Sequence, residues 1–125
     1  MRLVYKTRVV RLGNLAADFF REGMMVLFQE GAPRELEEIS VIHRPEVLWD
    51  QVRPGDTLRI GSTCVKVTAV GEVANRNLAN LGHAIIKFNG LIDPELPGDL
   101  CAERGDIPSV EPGTGIEIIR HEAIR

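Results

Sequence analysis

The sequence of 125 residues has few cysteines, few aromatic side chains and no long hydrophobic run. Cys64 and Cys101 form no CxxC motif. One disulfide between them is arithmetically possible, but nothing in the sequence indicates secretion, so we expect two reduced thiols. No apolar run approaches the ~20 residues of a membrane-spanning helix, and the first residues lack the apolar core of a signal peptide. We therefore expect a cytoplasmic protein without direct membrane insertion.

The sequence also lacks an excess of positive charge. It has 15 Lys and Arg residues against 18 Asp and Glu residues, a formal net charge of -3, and its basic residues are scattered. Because affinity for nucleic acids comes largely from neutralising phosphates, we do not expect a nucleic-acid-binding protein. The length and the 44% of hydrophobic residues instead predict a single globular domain over residues 1–125.

Turn signals divide the chain into short β-like stretches. Pro-Gly pairs at 54–55, 97–98 and 112–113 are each followed by such a stretch, because proline and glycine suit the two central positions of a turn. Other stretches with the composition or alternation of strands are residues 4–12, 24–28, 40–43, 64–71 and 83–88. Pro45 is expected to end the third of these. Eight stretches have these signals, and the prediction is a sheet of about six or seven short strands.

Two or three short helices are predicted between these strands. They cover residues 15–22, a segment from Pro33 through Glu38, and residues 74–81 with Gly82 as the C-cap. Long crossover helices are absent, which argues against a parallel α/β sheet. The predicted fold is therefore mainly β, a small closed or nearly closed β-barrel.

The residues most able to carry chemistry are three histidines, His43, His83 and His121. His43 ends a predicted strand and His83 begins one, and functional side chains are often found at such junctions. On residue type alone, a half-buried strand residue with a satisfied ring is the simpler interpretation of His43, and His121 is expected to be solvated. No GxSxG, GxGxxG or GxxxxGK[ST] motif is present, and no pair of histidines or cysteines has metal-ligand spacing.

A neutral imidazole can act as a nucleophile, because its ordinary pKa of about 6.5 leaves a lone pair available near neutral pH. Phosphoryl transfer to such a ring needs an in-line approach and donors for the phosphoryl oxygens. Backbone N–H groups, the Arg44 guanidinium or a second imidazole such as His83 are candidates for these donors. The residues by themselves leave this chemistry open beside a metal site at His43 and His83.

Several segments resemble one known family in their order and spacing. They are Glu30-Gly31-Ala32-Pro33, Leu36-Glu37-Glu38, Ile42-His43, Val67-Thr68-Ala69-Val70-Gly71, Asn77-Leu78, Leu81-Gly82-His83 and Phe88-Asn89-Gly90. The set is similar to the glucitol/sorbitol-specific IIA component of the bacterial phosphoenolpyruvate:sugar phosphotransferase system (PTS). The resemblance covers essentially the whole chain and is most specific between residues 67 and 90.

The resemblance implies a small β-barrel phosphotransferase component with a covalent phosphohistidine intermediate and no cofactor, metal or sugar site of its own. Phospho-HPr would donate a phosphoryl group to His43, and the IIB component of a sugar-alcohol permease (IIB/IIC) would accept it. His83 matches a family motif, and it either supports His43 or only shapes the entry to its strand.

Two further expectations concern partners. An apolar patch with Ile42 and Trp49 would suit docking, although a core position for Trp49 is the simpler interpretation. The alternative function is a non-catalytic β-barrel module that has kept the fold and now regulates or binds another protein.

Overall fold

A closed β-barrel of eight strands with three short helices forms the structure, a computed structural model that describes residues 1–122. The strands are β1 (Arg2–Leu12), β2 (Met24–Gln29), β3 (Val41–Leu48), β4 (Thr57–Ile60), β5 (Thr63–Val70), β6 (Ala84–Lys87), β7 (Asp99–Ala102) and β8 (Gly115–Arg120). The helices are α1 (Ala16–Arg21), α2 (Arg34–Ile39) and α3 (Ala74–Leu81). Around the barrel the strands follow the order β1-β3-β2-β6-β7-β5-β4-β8, and β8 pairs with β1 to close it.

Alternation of side chains along the strands builds the core. In β4, Leu58 and Ile60 are buried and Arg59 between them is exposed. In the neighbouring β8, Ile116 and Ile118 are buried in the same way. Each such side chain contributes about 1.5–3 kcal/mol when it is removed from water. The two-residue period of the sequence therefore places its apolar side chains inside the barrel.

The number of strands is larger than the expected six or seven, because every β-like stretch becomes a strand of its own. β4, β6 and β7 have only four residues each, too few for a strong alternation signal. Each is nevertheless paired on both sides, as β6 is with β2 and β7. Closure of the barrel requires every strand to have two neighbours, since a closed sheet has no free edge.

Pro45 does not end the third strand as predicted, and β3 continues to Leu48. β2 pairs with β3 only as far as His43, so beyond that residue β3 is paired with β1 alone. The register between β1 and β3 also shifts between Lys6 and Thr7, and Thr7 lies opposite Pro45. A proline, which has no amide hydrogen, is tolerated at such an irregular position with a partner on one side.

The three predicted helices are confirmed. α3 buries Ala74 and Leu78 against the barrel and ends at Gly82, whose φ of 57° is the left-handed C-cap conformation expected for a glycine. At its other end, the Gly71 amide donates to the Asp99 carbonyl at 2.8 Å and the Val73 amide to the Pro97 carbonyl at 3.0 Å. These bonds hold α3 between the loop after β5 and the loop before β7. Within residues 1–122, none of the helices is long and apolar enough to span a membrane.

The entry to α3 generates a prediction about stability. A Cβ atom at Gly71 would lie 2.1 Å from the Pro97 carbonyl oxygen, whereas one at Gly105 would meet no atom within 4 Å. We expect Gly71→Ala to lower the free energy of unfolding by about 2 kcal/mol or more, because two backbone segments must separate. Gly105→Ala, the matched control, should stay within about 0.5 kcal/mol of the wild type in urea unfolding. Equal stability of the two variants would contradict this account.

Candidate functional site

His43 lies inside the barrel, near the end of α3. It is the third residue of β3, and its side chain is 0% exposed. The pairing of β1 with β3 places Val9 opposite His43 and Thr7 opposite Pro45, so the buried Thr7 side chain lies diagonally across from the His43 ring. The inward-facing His43 thus places a polar ring in an interior that is mostly apolar.

Both nitrogens of the His43 ring are hydrogen-bonded. Nδ1 lies 2.5 Å from the Thr7 hydroxyl, and Nε2 lies 2.6 Å from the Gly82 carbonyl oxygen. A carbonyl oxygen only accepts, so Nε2 carries the hydrogen and donates it to Gly82. The neutral ring then has its lone pair on Nδ1, which accepts from the Thr7 hydroxyl. These two partners determine the tautomer of His43.

Burial lowers the pKa of His43, and the hydrogen bond to the Gly82 carbonyl opposes that effect. Water no longer solvates the charged ring inside the barrel, so the neutral form is favoured. The Gly82 carbonyl acts the other way because it accepts from a ring N–H. Since burial is the larger effect, the folded protein holds His43 neutral to lower pH than an exposed histidine.

Gly82 can occupy its position only as a glycine. Its φ of +57° is unfavourable for other residues. A Cβ atom there would also lie 2.8 Å from the Gln29 Cβ and 3.2 Å from the His43 Cε1. The absence of a side chain therefore allows the end of α3 to approach the histidine ring closely.

His83, the next residue, is half-buried beside the same turn. Its Nδ1 lies 3.0 Å from the Leu27 carbonyl oxygen, so Nδ1 carries the hydrogen in the neutral ring. Among residues 1–122, no hydrogen-bond partner is found for the His83 Nε2. The ring also packs on Phe28, with a centroid distance of 5.0 Å and a tilt of 37°. The rings of His43 and His83 thus donate to different backbone carbonyls, those of Gly82 and Leu27.

The structure places His43 and His83 next to the same residue, Gly82, and leaves other candidate residues apart. Arg44 points to the outside of β3, where its guanidinium pairs with Glu30 at 2.6 Å. Side chains alternate along a strand, so Arg44 does not reach the His43 ring that precedes it. His121 is exposed, as expected.

The expected apolar patch is not present as predicted. Ile42 is 0% exposed, so it forms no part of a surface patch. Like Arg44, it alternates to the side of β3 opposite the inward-facing His43. Trp49 is 70% exposed, so its expected core position is also wrong. It lies past the end of β3 and borders a groove of about 570 Å³ beside α3, with Leu48, Arg76 and Ala79.

Thr7 and Tyr5 are the site residues that the sequence did not reveal. Both are buried on the inward face of β1. Within residues 1–122 the Tyr5 hydroxyl has no hydrogen-bond partner. Burial raises the pKa of Tyr5 to about 12, an effect that the nearby Thr7 hydroxyl reduces. A threonine between inward-facing apolar positions of a predicted strand is a signal for a buried polar contact.

No metal site is found in the described part of the chain, where no group of three or more His, Cys, Asp or Glu side chains is placed to hold an ion. Cys64 is exposed and Cys101 is buried, and both thiols are free.

The environment of His43 generates a prediction about pH. The unfolded chain binds a proton at His43 near its ordinary pKa of 6.5, and the folded protein does so only at lower pH. The free energy of unfolding should therefore fall as the pH drops below that value, by up to about 1.4 kcal/mol per pH unit from this residue. His43→Gln should remove this part of the loss between about pH 7.5 and about pH 5.5 in urea unfolding, whereas His121→Gln should retain it. Identical pH profiles for His43→Gln and the wild type would contradict the prediction.

Comparison with known proteins agrees with this architecture. Residues 4–117 match the family described as the PTS system glucitol/sorbitol-specific IIA component. Proteins named PTS system glucitol/sorbitol-specific EIIA component from Shigella flexneri and Escherichia coli K12 are each 36% identical over 126 aligned positions. Each alignment covers 100% of this chain and 99% of the relative.

A solved structure is also similar. The crystal structure of a PTS system IIA component from Enterococcus faecalis V583 superimposes with a TM-score of 0.80 and 27% sequence identity, over 92% of this chain and 99% of that one. The match to the family spans nearly all of the barrel, including β3, α3 and the turn that brings Gly82 to His43. The chain belongs to the glucitol/sorbitol-specific IIA components, which act as phosphoryl carriers of the sugar phosphotransferase system.

Proposed function

We propose that His43 accepts the phosphoryl group from phospho-HPr and passes it to the IIB component of a sugar-alcohol permease. The observation that carries the proposal is a histidine ring held at both nitrogens, by Thr7 and Gly82, at the position where Ile42-His43 resembles the phosphorylation site of the family. Packing alone does not require an imidazole there. Such a carrier needs no sugar site, cofactor or metal, since the permease supplies the substrate specificity.

Nε2 is the nitrogen that we propose to carry the phosphoryl group. Nδ1 faces Thr7 on β1, and uncovering it would separate two strands that pair along most of their length. Nε2 faces the Gly82 carbonyl at the end of an eight-residue helix. The turn at Gly82 can move without opening the barrel, so exposing Nε2 to a phosphoryl group costs less free energy than exposing Nδ1. The carbonyl must leave before transfer, since reacting atoms need in-line access.

His83 is proposed to support the transfer. Its Nδ1–H is held by the Leu27 carbonyl, which leaves Nε2 as the atom available to a phosphoryl oxygen when it is protonated. The residue directly follows Gly82, so a movement of the turn that uncovers His43 also moves His83. A positively charged ring at this position would stabilise the negative charge of the phosphoryl group.

The unpartnered Nε2 of His83 favours a second candidate for the acceptor. His83 is half-buried, and its tautomer already has a lone pair on the nitrogen that lacks a partner among the described residues. His43 offers no such free nitrogen in the same conformation. Apo geometry does not exclude His43, because catalytic contacts commonly form only in the reactive complex. The experiment below separates the two residues.

We further propose that the protein acts in the cytoplasm, where the donor and the cytoplasmic face of the permease are both available. Contact with each partner should be brief, because a carrier must release its donor before it meets its acceptor. Interfaces of this kind are small and partly polar.

Phosphoryl labelling tests the assignment of His43. Enzyme I, HPr and radiolabelled phosphoenolpyruvate should label the wild type with a phosphate that is acid-labile and base-stable. His43→Gln should remain unlabelled, because the acceptor nitrogen is missing. His83→Gln should be labelled at least about 10-fold more slowly, as expected for loss of a supporting charge. His121→Gln, with an exposed ring, is the matched control and should equal the wild type.

The other possible labelling results would each contradict a different part of the proposal. Labelling of His43→Gln together with its loss in His83→Gln would make His83 the acceptor. Failure of the wild type to accept any label would contradict phosphoryl transfer and favour the non-catalytic regulatory or binding module. Circular dichroism of every variant shows whether loss of label reflects loss of the fold.

A further inference from the structure

The conformation of His43 is not the one that can attack phosphorus. A neutral imidazole carries a single N–H, and here that hydrogen is on Nε2, where it bonds to Gly82. An attacking Nε2 needs a free lone pair. In the reactive form the hydrogen must therefore reside on Nδ1, the nitrogen that faces Thr7. The partner of Nδ1 has to suit both forms of the ring.

A hydroxyl group meets this requirement, and few other groups do. It donates to Nδ1 when that nitrogen has the lone pair and accepts when Nδ1 carries the hydrogen. A carbonyl or carboxylate oxygen would lock the Nδ1–H form, and an amide N–H would lock the other. The Thr7 side chain is buried at 2.5 Å from Nδ1, and its branched Cβ restricts rotation of the side chain on β1.

We infer that Thr7 is a positioning residue that switches from donor to acceptor at Nδ1 and so permits both tautomers of His43. The inference rests on the proposed function, because it assumes transfer to the Nε2 of His43. When the Gly82 turn opens, water reaches the ring and takes the proton from Nε2. Thr7 passes its hydroxyl hydrogen to Nδ1 and receives another hydrogen from water, so both the threonine and the ring stay neutral.

The transfer step forms one bond to phosphorus and breaks another. The Nε2 lone pair forms the new N–P bond while the P–N bond of the donor's phosphohistidine breaks, and that bond's electron pair returns to the donor ring. The His43 ring acquires a positive charge next to the negative phosphoryl group. Its Nδ1–H donates to the Thr7 oxygen. On transfer to the acceptor protein, a nucleophile of that protein forms a bond to phosphorus while the N–P bond breaks, and the electron pair of that bond returns to Nε2.

Tyr5 provides an acceptor for the hydroxyl hydrogen of Thr7 in the reactive form. Once the Thr7 oxygen accepts from Nδ1–H, its own hydroxyl hydrogen needs another acceptor. The Tyr5 hydroxyl is buried near Thr7 and has no hydrogen-bond partner among residues 1–122. Its oxygen can accept from Thr7 in the reactive form, which gives a function to a polar group that is otherwise unsatisfied.

The test compares Thr7→Val, which keeps the branched shape and removes the hydroxyl, with Thr7→Ser, which keeps the hydroxyl. The rate of phosphoryl transfer from phospho-HPr should fall about 100-fold in Thr7→Val and stay close to the wild-type rate in Thr7→Ser. Thr63→Val, at an exposed threonine, is the matched control and should not differ from the wild type. A wild-type rate for Thr7→Val, or an equal loss in both Thr7 variants, would overturn the inference.

Nitrogen NMR of isotope-labelled histidine gives a readout that a merely structural role would not change. The unphosphorylated wild type should show hydrogen on Nε2 of His43, and the phosphorylated protein should show it on Nδ1. Absence of this exchange in the wild type would overturn the inference even if Thr7→Val fails to fold. Labelling of His43→Gln would refute the proposed acceptor. An unlabelled His43→Gln beside a fully active Thr7→Val would refute only the function of Thr7.

Discussion

A histidine inside a barrel must have both ring nitrogens satisfied, and the surroundings of His43 meet that constraint. An unpaired polar nitrogen in an apolar interior costs about 1–3 kcal/mol. One partner comes from β1, through the Thr7 hydroxyl, and the other from the end of α3, through the Gly82 carbonyl. The position of α3 depends in turn on the close contact between Gly71 and Pro97. The contacts of the His43 ring therefore depend on the pairing of β1 with β3 and on the two glycines that position the end of α3.

The same contacts relate stability to function. A phosphoryl carrier must keep its acceptor group reactive toward partners and protected at other times. In the resting barrel, burial holds the pKa of His43 below its ordinary value, and the Gly82 carbonyl covers Nε2. Under the proposed function, this arrangement hides the nucleophile from water until the turn moves. Gly82 serves both protection and reactivity, because it permits the close approach of its carbonyl to His43 and leaves the turn able to change conformation.

Much of the fold could be predicted from local patterns. The turn signals, the alternation of strands and the left-handed Gly82 at the end of α3 all appear in the structure. The count of strands was too low, because four-residue segments become strands only through pairing on both sides. Pro45 was expected to end a strand, but the local sequence contains no information about which edges of β3 have partners. Trp49 shows the same limit, since a large apolar side chain suggests the core and only the packed barrel exposes it.

The sequence by itself determined the family, the mainly β class and the histidines to consider as site residues. These follow from residue types and spacing along the chain, which tertiary packing does not alter. Only the tertiary structure decided that His43 is buried, that Thr7 and Gly82 bond its nitrogens, and that Arg44 faces away. Thr7 and His43 are 36 positions apart. Their contact depends on the register of β1 with β3, and that register is set by closure of the whole barrel.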